Sequence, residues 1–266
     1  MTPVLLLGAG RLGGALVAGW RRADTFPMDA LLIRDPAPGR EALASGARLD
    51  PDAAAIGRAQ TVVLAVKPQI WRAAAAEVAS LLAPDAIILS VAAGVAAADV
   101  GEAFGGRRTA RLMPTIAAAI GQGTASVYAA DPQARARAHA LFEPLGAVVD
   151  LGDEDLMHAA TAVSGSAPAY LYAFVEALEA AGEALGLSKS EAATLARSTL
   201  AGAAALMAAS GQDPARLRAE VTSPGGTTEA ALKVLLSAEG LGPLLAKAAK
   251  AATDRSRELG APAPKA

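Results

Sequence analysis

Short aliphatic and β-branched runs, separated by helix-like stretches, fill the first half of the chain and leave few folds open. PVLLLG (3–8), ALLIRD (30–35), TVVLAVKP (61–68) and AIILSVAAG (86–94) come first. RTARLMP (108–114), ASVYAA (125–130) and GAVVDLG (146–152) follow. Between them lie helix-like segments such as Arg11 to Arg22, Gln69 to Leu82 and Pro132 to Leu145. Strands that are apolar along their whole length belong to a sheet covered on both faces, which is the habit of parallel strands. Strand and helix in alternation predict a doubly wound, Rossmann-like α/β domain. In such sheets ligands sit beyond the carboxyl ends of the strands.

The first of those ends carries GAGRLGG, in which Gly8, Gly10 and Gly13 spell G-x-G-x-x-G. Gly8 permits a sharp turn out of the strand. Gly10 removes a side chain where a pyrophosphate must approach, and Gly13 lets the following helix pack closely. The helix start then offers unpaired N–H groups and the positive end of its dipole. Placed after a strand, before a helix and within a β-α-β unit, the motif predicts dinucleotide binding; a glycine-rich turn that happens to fit is the bland alternative. The second strand ends in Arg34 and Asp35. An acid here bonds ribose hydroxyls of NAD, whereas an arginine accommodates the extra phosphate of NADP, so the signal is divided. AVKP, Ala65 to Pro68, ends the third run, where proline stops the strand. SVAAG, Ser90 to Gly94, ends the fourth in small residues that leave room for a flat ring or for close strand–helix packing.

From Leu156 onward the chain reads as helices, and the boundary is placed so that residues 1–152 form the dinucleotide-binding domain and 153–266 an all-α domain. Gly186 is a plausible helix stop. Ser188 with Glu191 makes a capping box, and Asp213 caps a helix that starts at Pro214. Only the closing APAPKA reads as a loose tail. Leu195 to Met207 is apolar around most of the helix, and about 110 residues can hardly bury several such helices alone. The helical domain is therefore expected to build a homodimer through the C-terminal helices, with a larger assembly of dimers left open.

Hydrophobic residues make up 53% of the 266 and charged residues 19%, which places the chain among globular proteins. With a net charge of -2 and no basic stripe, a nucleic-acid partner is not expected. The chain holds no cysteine and two histidines, so no metal site is expected. The apolar N-terminus lacks a basic segment ahead of it, and no other apolar stretch runs uninterrupted for long; a soluble, cytoplasmic protein without membrane contact is expected.

Acid–base groups are scarce. His158 and His139 read as helix-face residues rather than catalytic ones, and Glu229 suits a first helical turn in any case. VTSPGGTTEAAL, Val221 to Leu232, is richer. Gly225 and Gly226 expose N–H groups at a helix start, and Ser223, Thr227 and Thr228 add hydroxyls. That is more than a cap requires, and it suits one carboxylate. A first-turn hydroxyl could also reach a nearby ligand nitrogen.

Taken in order along the whole chain, GAGRLGGAL, AVKP, SGSAPAYLYAFVEAL, LGLSKSEAATLARSTLAGAAALM and SGQDPARLRAEVTSPGGTTEAAL resemble pyrroline-5-carboxylate reductase. That resemblance implies NAD(P)H-dependent reduction of a cyclic imine to proline. By position, Leu7, Gly8, Ala9, Gly10, Arg11 and Leu12 would hold the pyrophosphate. Ala65, Val66, Lys67 and Pro68, with Val91, Ala92 and Ala93, would line the nicotinamide-ribose region. Ser223, Gly226 and Thr227 would bind the substrate carboxylate, and Thr228, the catalytic candidate, the ring nitrogen. Three departures stand out. Ala167 replaces the glycine of S-G-S-G-P-A-Y. Met113 to Ala117 reads MPTIA where the family usually has MPNTP. Asp35 would repel a 2′-phosphate that Arg34 could attract, so NADH is expected to serve at least as well as NADPH. Other readings are a reductase of a different cyclic imino acid, a β-hydroxy acid dehydrogenase, or a non-catalytic NAD sensor. The dehydrogenase needs a lysine on a long interdomain helix, and none lies between Leu156 and Leu187.

Overall fold

The computed structural model describes residues 1–260; the APAPKA segment lies outside the described residues. Among those residues the strands are β1 (Val4–Leu7), β2 (Leu31–Arg34), β3 (Arg48–Leu49), β4 (Thr61–Leu64), β5 (Ile87–Ser90), β6 (Thr109–Pro114), β7 (Gly123–Tyr128) and β8 (Gly146–Asp150). The helices of the first half are α1 (Arg11–Arg22), α2 (Arg40–Leu43), α3 (Ala53–Gly57), α4 (Trp71–Val78), α5 (Ala97–Ala103) and α6 (Pro132–Phe142). The second half contributes α7 (Leu156–Ala160), α8 (Ala167–Ala184), α9 (Lys189–Ser210), α10 (Pro214–Glu220), α11 (Thr227–Leu235) and α12 (Leu241–Gly260).

The strands form one sheet in the order β3-β2-β1-β4-β5-β6-β7-β8. Strand order reverses direction between β1 and β4, which opens the ligand crevice at their carboxyl ends. The N-terminal half is thus the expected doubly wound sheet, with one refinement. β6 and β7 pair antiparallel. Only residues 115–122 join them, too few for the crossover that parallel strands need. The two-residue β3 was not predicted, because two residues carry no periodicity.

One face of the sheet is packed by Leu16, Trp20, Phe26 and Phe142, the other by Ile56, Trp71, Val78 and Phe104. Trp20 Nε1 donates to the Leu141 carbonyl at 2.8 Å, which satisfies the one polar atom of a fully buried ring. Arg111 on β6 is also buried, and its Nη1 meets Glu154 at 3.1 Å.

The described residues divide into two compact units, one of residues 1–165 with 250–260, the other Ser166–Ala249. Strands do end near residue 152 as expected, but the first unit continues to Gly165 because Met157 and Ala162 are buried in it. It also takes back the end of α12. There Ser256 is buried and accepts or shares a hydrogen bond with His158 Nδ1 at 2.9 Å. Gly94 and Gly260 meet so closely that a Cβ on Gly94 would lie 2.7 Å from the Gly260 nitrogen.

The second unit has the predicted terminators. α8 stops before Gly186 (φ +102°), the Ser188–Glu191 capping box opens α9, and Asp213 caps α10 through the Ala215 N–H. What it lacks is a core of its own. Ala192 and Ala196 are its only buried residues among those described, while Leu171, Tyr172, Leu195 and Leu206 are each more than half exposed. α9 is also the one described helix long and apolar enough to cross a membrane by length and composition. An apolar surface this large marks an interface.

Candidate active site

The glycine loop leaves β1 at Gly8, whose φ of +92° suits glycine and whose hydrogen faces the Ala65 carbonyl. A Cβ there would lie 2.7 Å from that oxygen. At Gly13 a Cβ would collide with the Gly8 carbonyl and come within 3.0 Å of its carbon, so α1 packs against the loop without a side chain between them. Gly10 differs: an added Cβ would meet no heavy atom within 4 Å. Its α-carbon borders open space at the start of α1, a helix with no side-chain cap and no acid in its first turn. First-turn N–H groups without a cap, beside a surface cleared of side chains, fit a pyrophosphate.

The loop is held from the side by Asp35. Its Oδ2 accepts from the Ala9 N–H at 2.6 Å and its Oδ1 from the Ala37 N–H at 2.8 Å. The Gly39 N–H closes the clasp on the Ala9 carbonyl at 3.1 Å. Asp35 was expected to face a ribose; the structure gives each of its oxygens a backbone donor first. Arg34 is engaged as well. Its Nε and Nη2 both reach Glu77 Oε2 at 3.0 Å, and Nη1 stands 3.7 Å from Asp50 Oδ1. Sequence reasoning missed Glu77 and Asp50. One lies on α4, far along the chain, and the other follows the short β3, so no local pattern points to either.

Ala65 continues β4 beside the loop, its N–H donating to the Leu7 carbonyl at 2.8 Å. Lys67 is exposed and makes no ion pair among the described residues. Leu7, Ala9, Val91 and Ala92 point their side chains into the core, so these positions offer a ligand backbone only; Ala93 is half-buried. Thr115 of the altered MPTIA turns its hydroxyl to accept the Thr124 N–H at 3.0 Å, tying β6 to β7.

Both histidines are engaged in side-chain hydrogen bonds. His139 sits between Glu143 (2.7 Å) and Asp150 (3.0 Å), and the hydrogen bond to Glu143, helped by Asp150, raises its pKa above the ordinary value. His158 is pushed the other way, first by burial and then by Arg111 and Arg257.

In the second unit, VTSPGGTTEAAL forms a turn leading into α11. Gly225 takes φ +71°, and the helix begins at Gly226 without a side-chain cap. Glu229 in the first turn reaches back past that position: its Oε2 accepts the Gly225 N–H at 2.6 Å, while Lys233 balances the other oxygen at 3.5 Å. The hydroxyls of Ser223, Thr227 and Thr228 make no hydrogen bond among the described residues. The loop therefore carries three free hydroxyls that the helix start does not use, next to the positive end of its dipole.

A sheet with this order and this glycine loop, joined to a coreless helical unit, defines an NAD(P)-dependent oxidoreductase of the Rossmann class. Residues 3–94 match the family model described as NADP oxidoreductase, coenzyme F420-dependent, and residues 154–259 match that of pyrroline-5-carboxylate reductase dimerisation. A pyrroline-5-carboxylate reductase of Pseudomonas aeruginosa is 38% identical, with 96% of each chain covered. One from Pisum sativum is 33% identical over 95% of this chain and 94% of its own. Among solved structures, the Coxiella burnetii pyrroline-5-carboxylate reductase superposes with a TM-score of 0.88 at 30% identity, covering 98% and 99% of the two chains. The chain belongs to the pyrroline-5-carboxylate reductase family.

Proposed function

We propose that the protein is a pyrroline-5-carboxylate reductase of proline biosynthesis, reducing the cyclic imine of 1-pyrroline-5-carboxylate to proline at the expense of NAD(P)H. The observation that carries this reading is the loop before α11, where the helix start has no side-chain cap, Glu229 is turned to Gly225, and the hydroxyls of Ser223, Thr227 and Thr228 are free. The Gly226 and Thr227 backbone with the Ser223 and Thr227 hydroxyls would bind the substrate carboxylate. Thr228 would hydrogen-bond the ring nitrogen. A hydroxyl is a weak acid, so the ring is bound as the iminium, and addition of hydride at the imine carbon leaves a neutral secondary amine. The reduced nicotinamide supplies that hydride when bound. The chain's own contribution is to hold: Leu7 to Leu12 at the pyrophosphate, Ala65 to Pro68 and Val91 to Ala93 around the nicotinamide ribose, Arg34 and Asp35 toward the adenosine. Fixing the ring in one orientation supplies most of the acceleration.

The enzyme works in the cytoplasm as a homodimer formed by its helical unit, on a small carboxylated substrate, with no metal, nucleic acid or membrane. Mixing the protein with NAD(P)H and pyrroline-5-carboxylate and following the reduced-nicotinamide absorbance tests the reading. No turnover, with the cofactor shown to bind, rejects it. Thr115, drawn into the β6–β7 connection, favours one second reading: a different cyclic imino acid as the preferred substrate. A panel of imines of varied ring size, compared by kcat/KM, separates the two.

A further inference from the structure

We propose that Glu77 and Asp50 select the cofactor: they hold the Arg34 guanidinium away from a 2′-phosphate and make the enzyme prefer NADH. The inference rests on the dinucleotide reading of the glycine loop and adds to it the choice between the two forms. Arg34 ends β2, and the next residue, Asp35, clasps the glycine loop through Ala9, so the cleft beside them lies where the adenosine ribose is received in this fold. The cleft has a volume of about 450 Å³, and its charged lining is Arg34, Asp35, Asp50 and Glu77, one guanidinium against three carboxylates.

Arg34 would be the natural ligand of a 2′-phosphate, and arginine binds phosphate best through a two-pronged edge. Its Nε–Nη2 edge is on Glu77 at 3.0 Å, and the remaining Nη1 faces Asp50 at 3.7 Å. The Asp50 backbone is anchored beside β2 by its N–H, which donates to the Ile33 carbonyl at 2.9 Å, while its carboxylate is exposed. A 2′-phosphate brings between one and two negative charges and would have to displace a carboxylate while facing two more. A 2′-hydroxyl brings no charge and leaves the ion pair in place. The pair is half exposed and contributes little to folding. Its consequence is to decide what the guanidinium is free to bind.

Affinities of NADH and NADPH for the full-length protein are read from the fluorescence of the reduced nicotinamide, with no substrate present. The wild type is expected to bind NADH about tenfold more tightly than NADPH, a difference of about 1.4 kcal/mol. Glu77→Gln should tighten NADPH about tenfold and leave NADH within about twofold. Adding Arg34→Ala to Glu77→Gln should remove that gain. Three results overturn the inference: a wild type that prefers NADPH, an NADPH-to-NADH ratio that Glu77→Gln leaves within about twofold, or a single Arg34→Ala variant that loses NADPH about tenfold. The last would mean that Arg34 already serves the phosphate. If neither cofactor binds the wild type, the dinucleotide reading itself fails; if both bind and the ratio does not move in Glu77→Gln, the selection mechanism fails alone. Circular dichroism of each variant separates lost selectivity from lost folding.

Discussion

Gly10 and Gly13 stand three residues apart in one motif, and the structure predicts opposite outcomes for the same change at each. At Gly10 an alanine Cβ would have no heavy atom within 4 Å. The cost to folding is then that of alanine for glycine at a helix N-cap, about 1 kcal/mol at most, or about 2–4 °C in Tm for a chain of this size. At Gly13 the same Cβ would collide with the Gly8 carbonyl oxygen and stand 3.0 Å from its carbon. The obstacle is backbone, which cannot rotate aside, so α1 or the loop must move. Overpacking of this kind costs about 3 kcal/mol, and Tm should fall by about 6–12 °C. Cofactor affinity should separate the two from the other direction. Gly10→Ala fills the clearing beside the α1 N-terminus and should weaken NADH at least about tenfold in a protein that is otherwise intact. Thermal denaturation with and without NADH, together with fluorescence titration, reads both quantities. Wild-type affinity in Gly10→Ala would refute the assignment of the clearing to pyrophosphate. A Tm collapse there as deep as in Gly13→Ala would refute the steric argument.

Thr228→Ala should lower kcat about 10- to 100-fold, the loss of one hydrogen bond made to the reacting ring, while NADH affinity stays unchanged; unaltered turnover in steady-state assays removes its role. Leu195, 56% exposed on α9, should lie in the subunit interface, and Leu195→Glu should yield monomers in sedimentation velocity because two carboxylates would be buried unpaired; a persistent dimer at micromolar concentration places the interface elsewhere. His139 has its pKa raised by Glu143 and Asp150, so it binds its proton more tightly folded than unfolded. Its contribution is complete below the unfolded pKa of about 6.5 and is lost as pH climbs through the higher folded value. His139→Gln should therefore cost up to about 1 kcal/mol in urea melts at pH 5.5 and nothing at pH 9; an equal loss at both would show that packing, not charge, is at stake.

The parts of the fold that follow a local rule could be read directly from residues. α1 spans the expected Arg11 to Arg22, and the Ser188–Glu191 box and the Asp213 cap stand where their spacing put them. The all-round apolarity of Leu195 to Met207 correctly anticipated a helix left bare in one chain. What could not be read depends on pairs distant in sequence. Nothing in a row of letters brings Glu77 to Arg34, or turns Asp35 back onto Ala9. The same holds for Glu229: its place in a first turn was legible, but its bond back to Gly225 is a property of the turn's geometry.

The division of α12 between two units bears on how the protein is made. The sheet with its glycine loop leaves the ribosome early, yet the strand-end loop at Gly94 and the imidazole of His158 receive their covering residues only when Ser256 and Gly260 emerge. The whole helical unit must be translated in between. The unit that holds the sheet is thus completed only after the helical unit has been translated, and its final assembly waits on the last turns of α12.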